Sequence, residues 1–371
     1  MTKEIPFRYD YVGSFLRPLA IKNARSMFKA GKLSFDELKA VENEEIARLI
    51  ARQKEAGFHV ITDGEFRRSY WHLDFFWGLN GIEECELNHG YFFHGEETAK
   101  GSIRLTGRID GHDHPFVEYF KFLKSFEDEN TVAKQTIPAP AQLLAELFRK
   151  DNIENTTTVY PDIDNLIADI GAAYRTVIRE LYDAGCRNIQ LDDCTWGMFV
   201  DEKYWSNRQN GNVSFENEAN KYLKVNNLAL EGRPSDLIIA THVCRGNYHS
   251  TYACTGPYDK IAPFLFEREN VDAFYLEFDD ERSGGFESLA YVPKDKKVVL
   301  GLITTKRPEL EDKALIKSRI KEAAEYVDLD RLSLSPQCGF ASCEIGNKIT
   351  EQDQWAKLNL VKEIALEVWP D

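Results

Sequence analysis

The sequence of 371 residues predicts an α/β fold, a (β/α)8 TIM barrel with a β-hairpin and a helix inserted after the second strand. Short apolar runs alternate with amphipathic helices along most of the chain. Runs this short, several of them without in/out alternation, are typical of parallel strands buried on both faces. Eight such runs separated by helices favour a closed barrel over an open sheet. One barrel with an insertion accommodates residues 1–371 as a single domain.

The predicted elements follow in chain order. The eight strands are YVGSF (11–15), HVITDGEF (59–66), TVAKQTI (131–137), NIQLDD (188–193), LIIATHVC (237–244), AFYLEF (273–278), KVVLGLI (297–303) and RLSLS (331–335). Apolar residues recur at helical spacing over 163–181, and Gly185 is placed to end that helix. The segment 38–56 shows the same pattern before Gly57, and Asp312 is predicted to cap a later helix.

One segment, residues 82–130, interrupts this alternation. Its sequence predicts a β-hairpin followed by a helix near 115–128. We expect this insertion to lie over the barrel mouth or beside it. The aromatic-rich stretch SYWHLDFFWG at 69–78 is predicted either to roof a substrate pocket or to pack against the insertion.

Composition narrows the functional classes. Lys plus Arg number 46 and Asp plus Glu 61, which gives a net charge of −15 and argues against nucleic-acid and membrane partners. Seven scattered cysteines do not resemble a small disulfide framework. The first residues lack a signal-peptide core, and no apolar stretch is long enough to span a bilayer. We therefore expect a cytoplasmic protein with reduced thiols and small-molecule substrates.

Potential metal ligands recur at the ends of the predicted strands, where barrels carry their functional groups. His242 and Cys244 are two residues apart on an extended strand and so point to the same side. Glu277 ends the next strand, and Cys338 follows the last one. One imidazole, two thiolates and a carboxylate suit Zn²⁺. Each residue also has a structural alternative: a hydrogen-bonded histidine, an inert buried thiol or a salt bridge at the rim.

The charge of this donor set indicates which chemistry a zinc ion could support there. Two thiolates and a carboxylate give zinc a formal charge of −1, which makes it a poor activator of water. Such a metal is better suited to holding a substrate thiol, because coordination deprotonates the sulfur and an electron-rich metal leaves it nucleophilic. The donor set therefore favours thiol alkylation over hydrolysis.

Three further polar residues are predicted to bind an amino-acid substrate. Glu65 in TDGEF and Asp192 in QLDD are placed to receive its ammonium group, and Ser14 in GSF could orient its carboxylate. These are the candidate substrate-binding residues, and Glu65 and Asp192 are also the candidate catalytic carboxylates. The structural alternative is that Asp192 or its neighbour caps the following segment and that Glu65 pairs with Arg67 or Arg68.

Seven ordered motifs resemble the catalytic domain of cobalamin-independent methionine synthase and, more closely, the shorter single-barrel proteins related to it. They are YVGSFLRP, VITDGEFRRSYWHLDFF, IQLDD, THVCRGN, YLEFDD, GLITTKRPELED and LSPQCGFAS, and they extend from about residue 8 to the C-terminus. The resemblance implies a zinc-dependent methyltransferase that makes methionine from homocysteine. It places the zinc ligands on His242, Cys244, Glu277 and Cys338, and the homocysteine contacts on Ser14, Glu65 and Asp192.

The methyl donor is less well defined. The full-length synthases resemble a pair of barrels, and this chain has only the second. The segment QTIPAPAQL (135–143) lacks a tryptophan for stacking a pterin. The donor could be 5-methyltetrahydrofolate, a methylcorrinoid or S-methylmethionine. The alternatives are an alkyltransferase acting on another thiol or donor, a non-catalytic zinc-binding barrel, and a metal-free barrel of the related decarboxylase type.

Overall fold

A parallel β-sheet forms the centre of the computed structural model, which describes residues 5–209 and 213–370. The strands are β1 (Val60–Ile61), β2 (Asn80–Glu86), β3 (Phe92–Phe93), β4 (Glu96–Glu97), β5 (Gly101–Asp110), β6 (Val132–Ala133), β7 (Gln135–Pro138), β8 (Asn188–Asp192), β9 (Ile238–Val243), β10 (Ala273–Glu277), β11 (Lys297–Ile303) and β12 (Leu332–Pro336). The α/β class predicted from the sequence is therefore confirmed.

Helices connect and cover these strands. They are α1 (Leu19–Lys29), α2 (Phe35–Glu55), α3 (Leu73–Phe76), α4 (Pro115–Lys124), α5 (Pro140–Leu147), α6 (Ile153–Val159), α7 (Ile163–Asp183), α8 (Thr195–Val200), α9 (Glu202–Gln209), α10 (Phe215–Leu230), α11 (Ala262–Arg268), α12 (Lys313–Ala323) and α13 (Glu351–Val368). Short 3-10 helices cover Glu281–Ser283, Glu287–Tyr291 and Leu329–Arg331. Among the described residues, no helix combines the length and apolar character needed to cross a membrane.

Six strands form one continuous parallel sheet in the order β12-β11-β10-β9-β8-β7. Every residue of β8, β10 and β12 is buried, including the polar ones, as expected for parallel strands that are covered on both faces. The register places Asp192 opposite His242 at the carboxyl ends of β8 and β9. The polar residues that end the neighbouring strands are therefore brought to one edge of the sheet.

Closure of the sheet into a barrel is only partial in the described residues. β1 and β6 form a separate parallel pair, and a single bridge joins Tyr9 to Leu334 of β12. The predicted strand at 11–15 is not a strand, because Gly13 has φ +144° and the Tyr11 backbone N–H donates to the adjacent Asp10 carboxylate at 2.7 Å. The extended pairing occurs slightly earlier in the chain, at Tyr9.

The predicted helices are confirmed, and their ends have identifiable caps. α7 covers the periodic segment and is followed by Gly185, which has φ +96°. α2 begins at a capping box formed by Ser34 and Glu37. The Asp312 carboxylate accepts from the Leu315 backbone N–H at 2.8 Å at the start of α12.

The segment at 82–130, predicted as a β-hairpin and a helix, contains two antiparallel strand pairs and one helix. β2 pairs with β5 in antiparallel fashion, and β3 and β4 form a smaller antiparallel pair between them. α4 follows, and its N-cap His114 accepts from the Phe116 backbone N–H at 3.2 Å through Nδ1. His114 is thus a helix cap.

A candidate metal and substrate site

One cavity opens at the carboxyl edge of the sheet, where the predicted site residues meet. About 1030 Å³ of space, which includes open solvent at the mouth, lies within its lining. Its lining includes six of the seven residues predicted for metal or substrate binding: Ser14, Glu65, Asp192, His242, Cys244 and Cys338. Glu277 is not part of that lining. The predicted metal and substrate residues therefore share one space, except for this carboxylate.

Three potential metal ligands form a compact cluster. One donor atom each from His242, Cys244 and Cys338 lies within 4.8 Å of the other two. The three residues are only 2–6% exposed. His242 lies in β9 and Cys244 directly follows its last residue, Val243, so their i, i+2 spacing on an extended backbone projects both side chains to the same side. Cys338 lies in the turn after β12.

The electrostatics of the cluster fit a metal with a preference for nitrogen and sulfur. Neither ring nitrogen of His242 has a hydrogen-bond partner among the described residues, although the side chain is buried. The thiols of Cys194 and Cys338, on either side of the Cys244 sulfur, hold the pKa of Cys244 well below its usual value. A buried imidazole with free nitrogens beside a stabilised thiolate is a donor set suited to zinc.

Glu277 has a different environment from the other predicted ligands. Its Oε2 accepts from the Arg245 backbone N–H at 2.6 Å. Its Oε1 lies 3.1 Å from Arg282 Nη2 and 3.3 Å from Lys306 Nζ. Burial raises the pKa of Glu277, and Lys306 opposes that shift. The side chain is fully buried and already neutralised by protein cations, so the structure does not bring it into the three-residue cluster.

Asp192 and Glu65 present carboxylates to the cavity from β8 and from the turn after β1. Asp192 Oδ1 accepts from Gln190 at 2.7 Å. Burial raises the pKa of Asp192 to about 7, and the nearby Glu65 adds to the shift. Asp192 is not the carboxylate that bonds to the next helix. Asp193, one residue before the N-cap Cys194 of α8, is that carboxylate, because its Oδ1 accepts from the Thr195 backbone N–H at 2.9 Å.

Glu65 is held in a turn with a left-handed backbone, at φ 59°. Its Oε1 accepts from the Thr136 hydroxyl at 3.0 Å and lies 3.3 Å from Arg68 Nη1. Its Oε2 is buried without a hydrogen-bond partner in the described part of the chain. The predicted alternative of an ion pair with Arg68 is therefore present, but it leaves one carboxylate oxygen available to a ligand.

Ser14 reaches the cavity because a glycine faces it. A Cβ added at Gly339 would lie 1.9 Å from Ser14 Oγ, so no larger residue fits there without movement. Ser14 O accepts from the Phe340 backbone N–H at 2.9 Å, and Ser14 Oγ accepts from the Ala341 N–H at 3.3 Å. The turn that carries Cys338 is thus bound to the segment that carries Ser14.

Aromatic side chains form the opposite wall of the cavity. Trp71 and His72 come from the stretch predicted as a possible roof, and Tyr91, Phe92 and Phe93 come from the segment 82–130. The His72 ring lies 4.6 Å from the Trp71 ring and 5.7 Å from the Tyr91 ring, measured between centroids. Burial lowers the pKa of His72 to about 3, so its imidazole is neutral at pH 7.

Sequence reasoning missed one sulfur beside the cluster. Cys194 Sγ lies 3.4 Å from Cys244 Sγ, and Cys194 also lines the cavity. The residue directly follows LDD at the carboxyl end of β8. The same strand-end rule that selected Asp192 could therefore have identified it.

An α/β fold with an imidazole–thiolate cluster at its strand ends defines a class of protein that can bind a soft metal ion beside a small-molecule pocket. The sequence profile described as "Cobalamin-independent synthase, Catalytic domain" matches residues 9–357. The chain belongs to this family, as its motifs indicated.

Individual relatives agree with this assignment. The uncharacterised protein YxjG of Bacillus subtilis strain 168 is 44% identical over 99% of this chain and 96% of its own length. A crystal structure from Listeria monocytogenes, assigned as a vitamin-B12-independent methionine synthase, is 38% identical with a TM-score of 0.78, and 99% of each chain is covered. A B12-independent methionine synthase from Shewanella sp. W3-18-1, solved with selenomethionine, shares the fold at 20% identity with a TM-score of 0.73, covering 97% of each chain.

Proposed function

We propose that this protein is a zinc-dependent methyltransferase that converts homocysteine into methionine. The observation that carries the proposal is the single cavity lined by both His242–Cys244–Cys338 and the carboxylates of Glu65 and Asp192. Membership of the cobalamin-independent synthase family supports the reaction class. The selenomethionine bound to the Shewanella neighbour supports a methionine-like product.

His242, Cys244 and Cys338 would hold the metal, and Glu277 stays a prediction from the sequence as a further ligand. A zinc ion bound there would favour the deprotonated, nucleophilic form of the substrate thiol. The cluster is buried, so water has little access to the reacting sulfur. These features suit attack by sulfur on a methyl group rather than hydrolysis.

The remaining polar groups would orient the amino-acid part of homocysteine. Asp192 and the unpaired Glu65 Oε2 would receive its ammonium group, because a buried carboxylate without full pairing gains most from a cationic partner. The Ser14 hydroxyl would meet its carboxylate from the adjoining segment. Held at both charged ends, the substrate would extend its thiol towards Cys244 and Cys338.

The residues that line the cavity indicate which charge the methyl donor can carry. Among the described residues, Arg245 is the one Lys or Arg side chain in the lining, and its guanidinium donates to the carbonyl groups of Gly256, Glu277 and Ser283. A pocket that offers aromatic faces and acidic groups but no free cation favours a donor without multiple negative charges. S-methylmethionine or a methylcorrinoid therefore fits this wall better than a polyglutamylated folate.

Metal analysis tests the ligand cluster. Purified protein should contain about one zinc ion per chain, and Cys338→Ser should lose it because one of the anionic donors is removed. Cys85→Ser is the matched control, since that half-buried thiol lies on β2 and outside the cavity lining. Equal zinc content in the wild-type protein and Cys338→Ser would exclude the assignment.

A donor panel tests the reaction. Methionine formation from homocysteine should be measured with 5-methyltetrahydrofolate, a methylcorrinoid and S-methylmethionine in parallel. Product with one donor, lost in Cys338→Ser, supports the proposal. If zinc is present but no donor yields methionine while another thiol is alkylated, the alternative alkyltransferase becomes the better description.

The closed barrel expected from the sequence also belongs to this proposal. The Tyr9–Leu334 bridge and the parallel β1–β6 pair support this part of the proposal. Backbone amide exchange should therefore show protection at Asp10, whose N–H donates to the Leu334 carbonyl at 3.0 Å, and at β1 comparable to that of β8. Fast exchange at both sites would favour an open sheet.

A further inference from the structure

We propose that the aromatic wall of the cavity contains a subsite for an uncharged amide, either a carboxamide or a ring lactam, that His72 and Gln142 bind. The inference concerns the same cavity as the proposed function but depends on neither zinc nor methyl transfer. Its primary observation is that these two buried side chains line the cavity and have polar atoms without a hydrogen-bond partner in residues 5–209 and 213–370.

His72 is the first of the two side chains. It is 4% exposed, and neither of its ring nitrogens has a partner in the described part of the chain. His114 is similarly buried, yet its Nδ1 accepts from the Phe116 backbone N–H at 3.2 Å and its Nε2 lies 2.9 Å from the Phe75 carbonyl oxygen. Because an unpaired buried polar atom costs free energy, the state of His72 points to a ligand.

Gln142 is the second side chain, and it belongs to a different element, α5. It is 3% exposed, and its Oε1 has no partner among the described residues. Gln53, which is also buried, accepts from the Tyr11 hydroxyl at 2.7 Å and from the Thr62 backbone N–H at 2.9 Å. Two separate elements thus each bring an unpaired polar group to one cavity.

Tyr91 connects these two elements. Glu146 lies one turn after Gln142 on α5, so the two side chains share a face of that helix. The Glu146 carboxylate accepts from the Tyr91 hydroxyl, and the Tyr91 ring lies 5.7 Å from the His72 ring between centroids. His72 and Gln142 therefore belong to the same part of the cavity.

The aromatic side chains around them offer flat apolar surface. Trp71 and Phe93 are half-buried, and Phe92 is 65% exposed although it lines the cavity. Aromatic faces of this kind stack against a flat ligand, and a few polar groups among them fix its orientation. The ligand is therefore expected to be flat as well as polar at one edge.

The unpaired atoms indicate which polar group that edge carries. Burial lowers the pKa of His72 to about 3, so at pH 7 its neutral ring offers one N–H donor and one acceptor. A carboxylate only accepts and would leave Gln142 Oε1 unpaired, whereas an ammonium only donates and would leave the imidazole N–H unpaired. A carboxamide or a lactam presents a donor and an acceptor together on one flat edge.

The experiment uses benzamide as the probe and compares it with benzoate and benzylamine, which have similar shapes but carry charge. NMR titration at pH 7, with zinc-free and with zinc-loaded protein, measures the dissociation constants. The wild-type protein should bind benzamide at least about tenfold more tightly than either charged analogue, with or without zinc. His72→Phe and Gln142→Leu should each weaken benzamide binding by about tenfold, because each removes a hydrogen bond to the probe.

The matched controls are His114→Phe and Gln53→Leu, which remove the same groups from buried positions outside the cavity lining. Since their polar atoms have partners within the fold, these variants should lower the Tm and leave the benzamide affinity unchanged. His72→Phe and Gln142→Leu lose no hydrogen bond of the free protein at the unpaired atoms, so their Tm should fall less than that of the controls.

The outcomes separate this subsite from the proposed function. Equal wild-type affinity for the three probes, or unchanged benzamide affinity in both His72→Phe and Gln142→Leu, would overturn the subsite and leave methyl transfer untouched. Selective benzamide binding by a protein that holds no zinc and forms no methionine would support the subsite and overturn the proposed function. If neither variant folds, the order of the three wild-type affinities decides.

Discussion

Two pairs of buried carboxylates lie at the same edge of the sheet and differ in how their charge is balanced. Glu277 and Asp279 share two cations, Lys306 and Arg282, and Glu277 is absent from the cavity lining. Glu65 and Asp192 both line the cavity. Among the described residues, they form a single ion pair, between Glu65 and Arg68.

The difference distinguishes carboxylates that are neutralised by the protein itself from carboxylates that can bind a ligand. A buried carboxylate with two cationic partners is satisfied by the protein and has little to gain from a ligand. A buried pair with an excess of negative charge is incompletely compensated, and a substrate ammonium can complete it. The comparison therefore explains why residues of the same type, all at strand ends, need not have the same role.

The largest expected effect follows from breaking the balanced pair. Lys306→Met should lower the free energy of unfolding by about 3 kcal/mol, because it leaves the Glu277 and Asp279 carboxylates buried with one cation fewer. Urea unfolding measures the change. Lys317→Met is the control: its exposed pair with Glu367 should contribute less than about 1 kcal/mol. Similar losses in the two variants would contradict the structural role of Lys306.

For Glu65 and Asp192, by contrast, a substitution should affect the binding of substrate. Asp192→Asn keeps the shape of the side chain but removes the charge that meets the ammonium, so kcat/KM for homocysteine should fall by about 100-fold. Asp193→Asn is a neighbouring control, because Asp193 faces Thr195 and Asn226 within the fold. Its effect should be on stability and not on homocysteine affinity. The opposite pattern would reverse the roles of the two aspartates.

A further buried carboxylate, Glu146, extends the comparison to the pH dependence of stability. It contacts Arg149, Ser102 and Tyr91, yet burial raises its pKa to about 7. The folded protein therefore binds a proton more tightly than the unfolded chain, and the free energy of unfolding should fall as pH rises from about 4.5 to about 7.

The Glu146→Gln variant tests this linkage. Its unfolding free energy should vary less over that pH window, and the difference from the wild type should change by about 2.5 kcal/mol across it. Chemical unfolding at a series of pH values measures it. Parallel wild-type and variant curves would show that another group controls the dependence.

Much of the scaffold was predictable because its signals are local. The strands from β8 to β12 were recognisable as short apolar runs, and α12 from its cap at Asp312. The first predicted strand was wrong because Gly13 and the Asp10 carboxylate redirect the backbone there. The hydrophobic pattern of the sequence does not show that these local interactions compete with strand formation.

The site was only partly predictable because its contacts are non-local. The strand-end rule selected residues that line the cavity, since parallel strands bring their carboxyl ends together. It could not show that Lys306 and Arg282 would surround Glu277, or that Cys194 would approach Cys244. Those contacts depend on turns whose direction is set by packing across the sheet.

The close fit of Gly339 against Ser14 has a consequence for how this rim is assembled. The Ala341 N–H and Ser14 Oγ are 327 positions apart along the chain, so their contact closes a very long loop. Contacts of such high sequence separation form late, because the entropy of loop closure must be overcome first. During synthesis, the part of the pocket that contains Ser14 therefore cannot be completed until the turn that contains Gly339 has been translated.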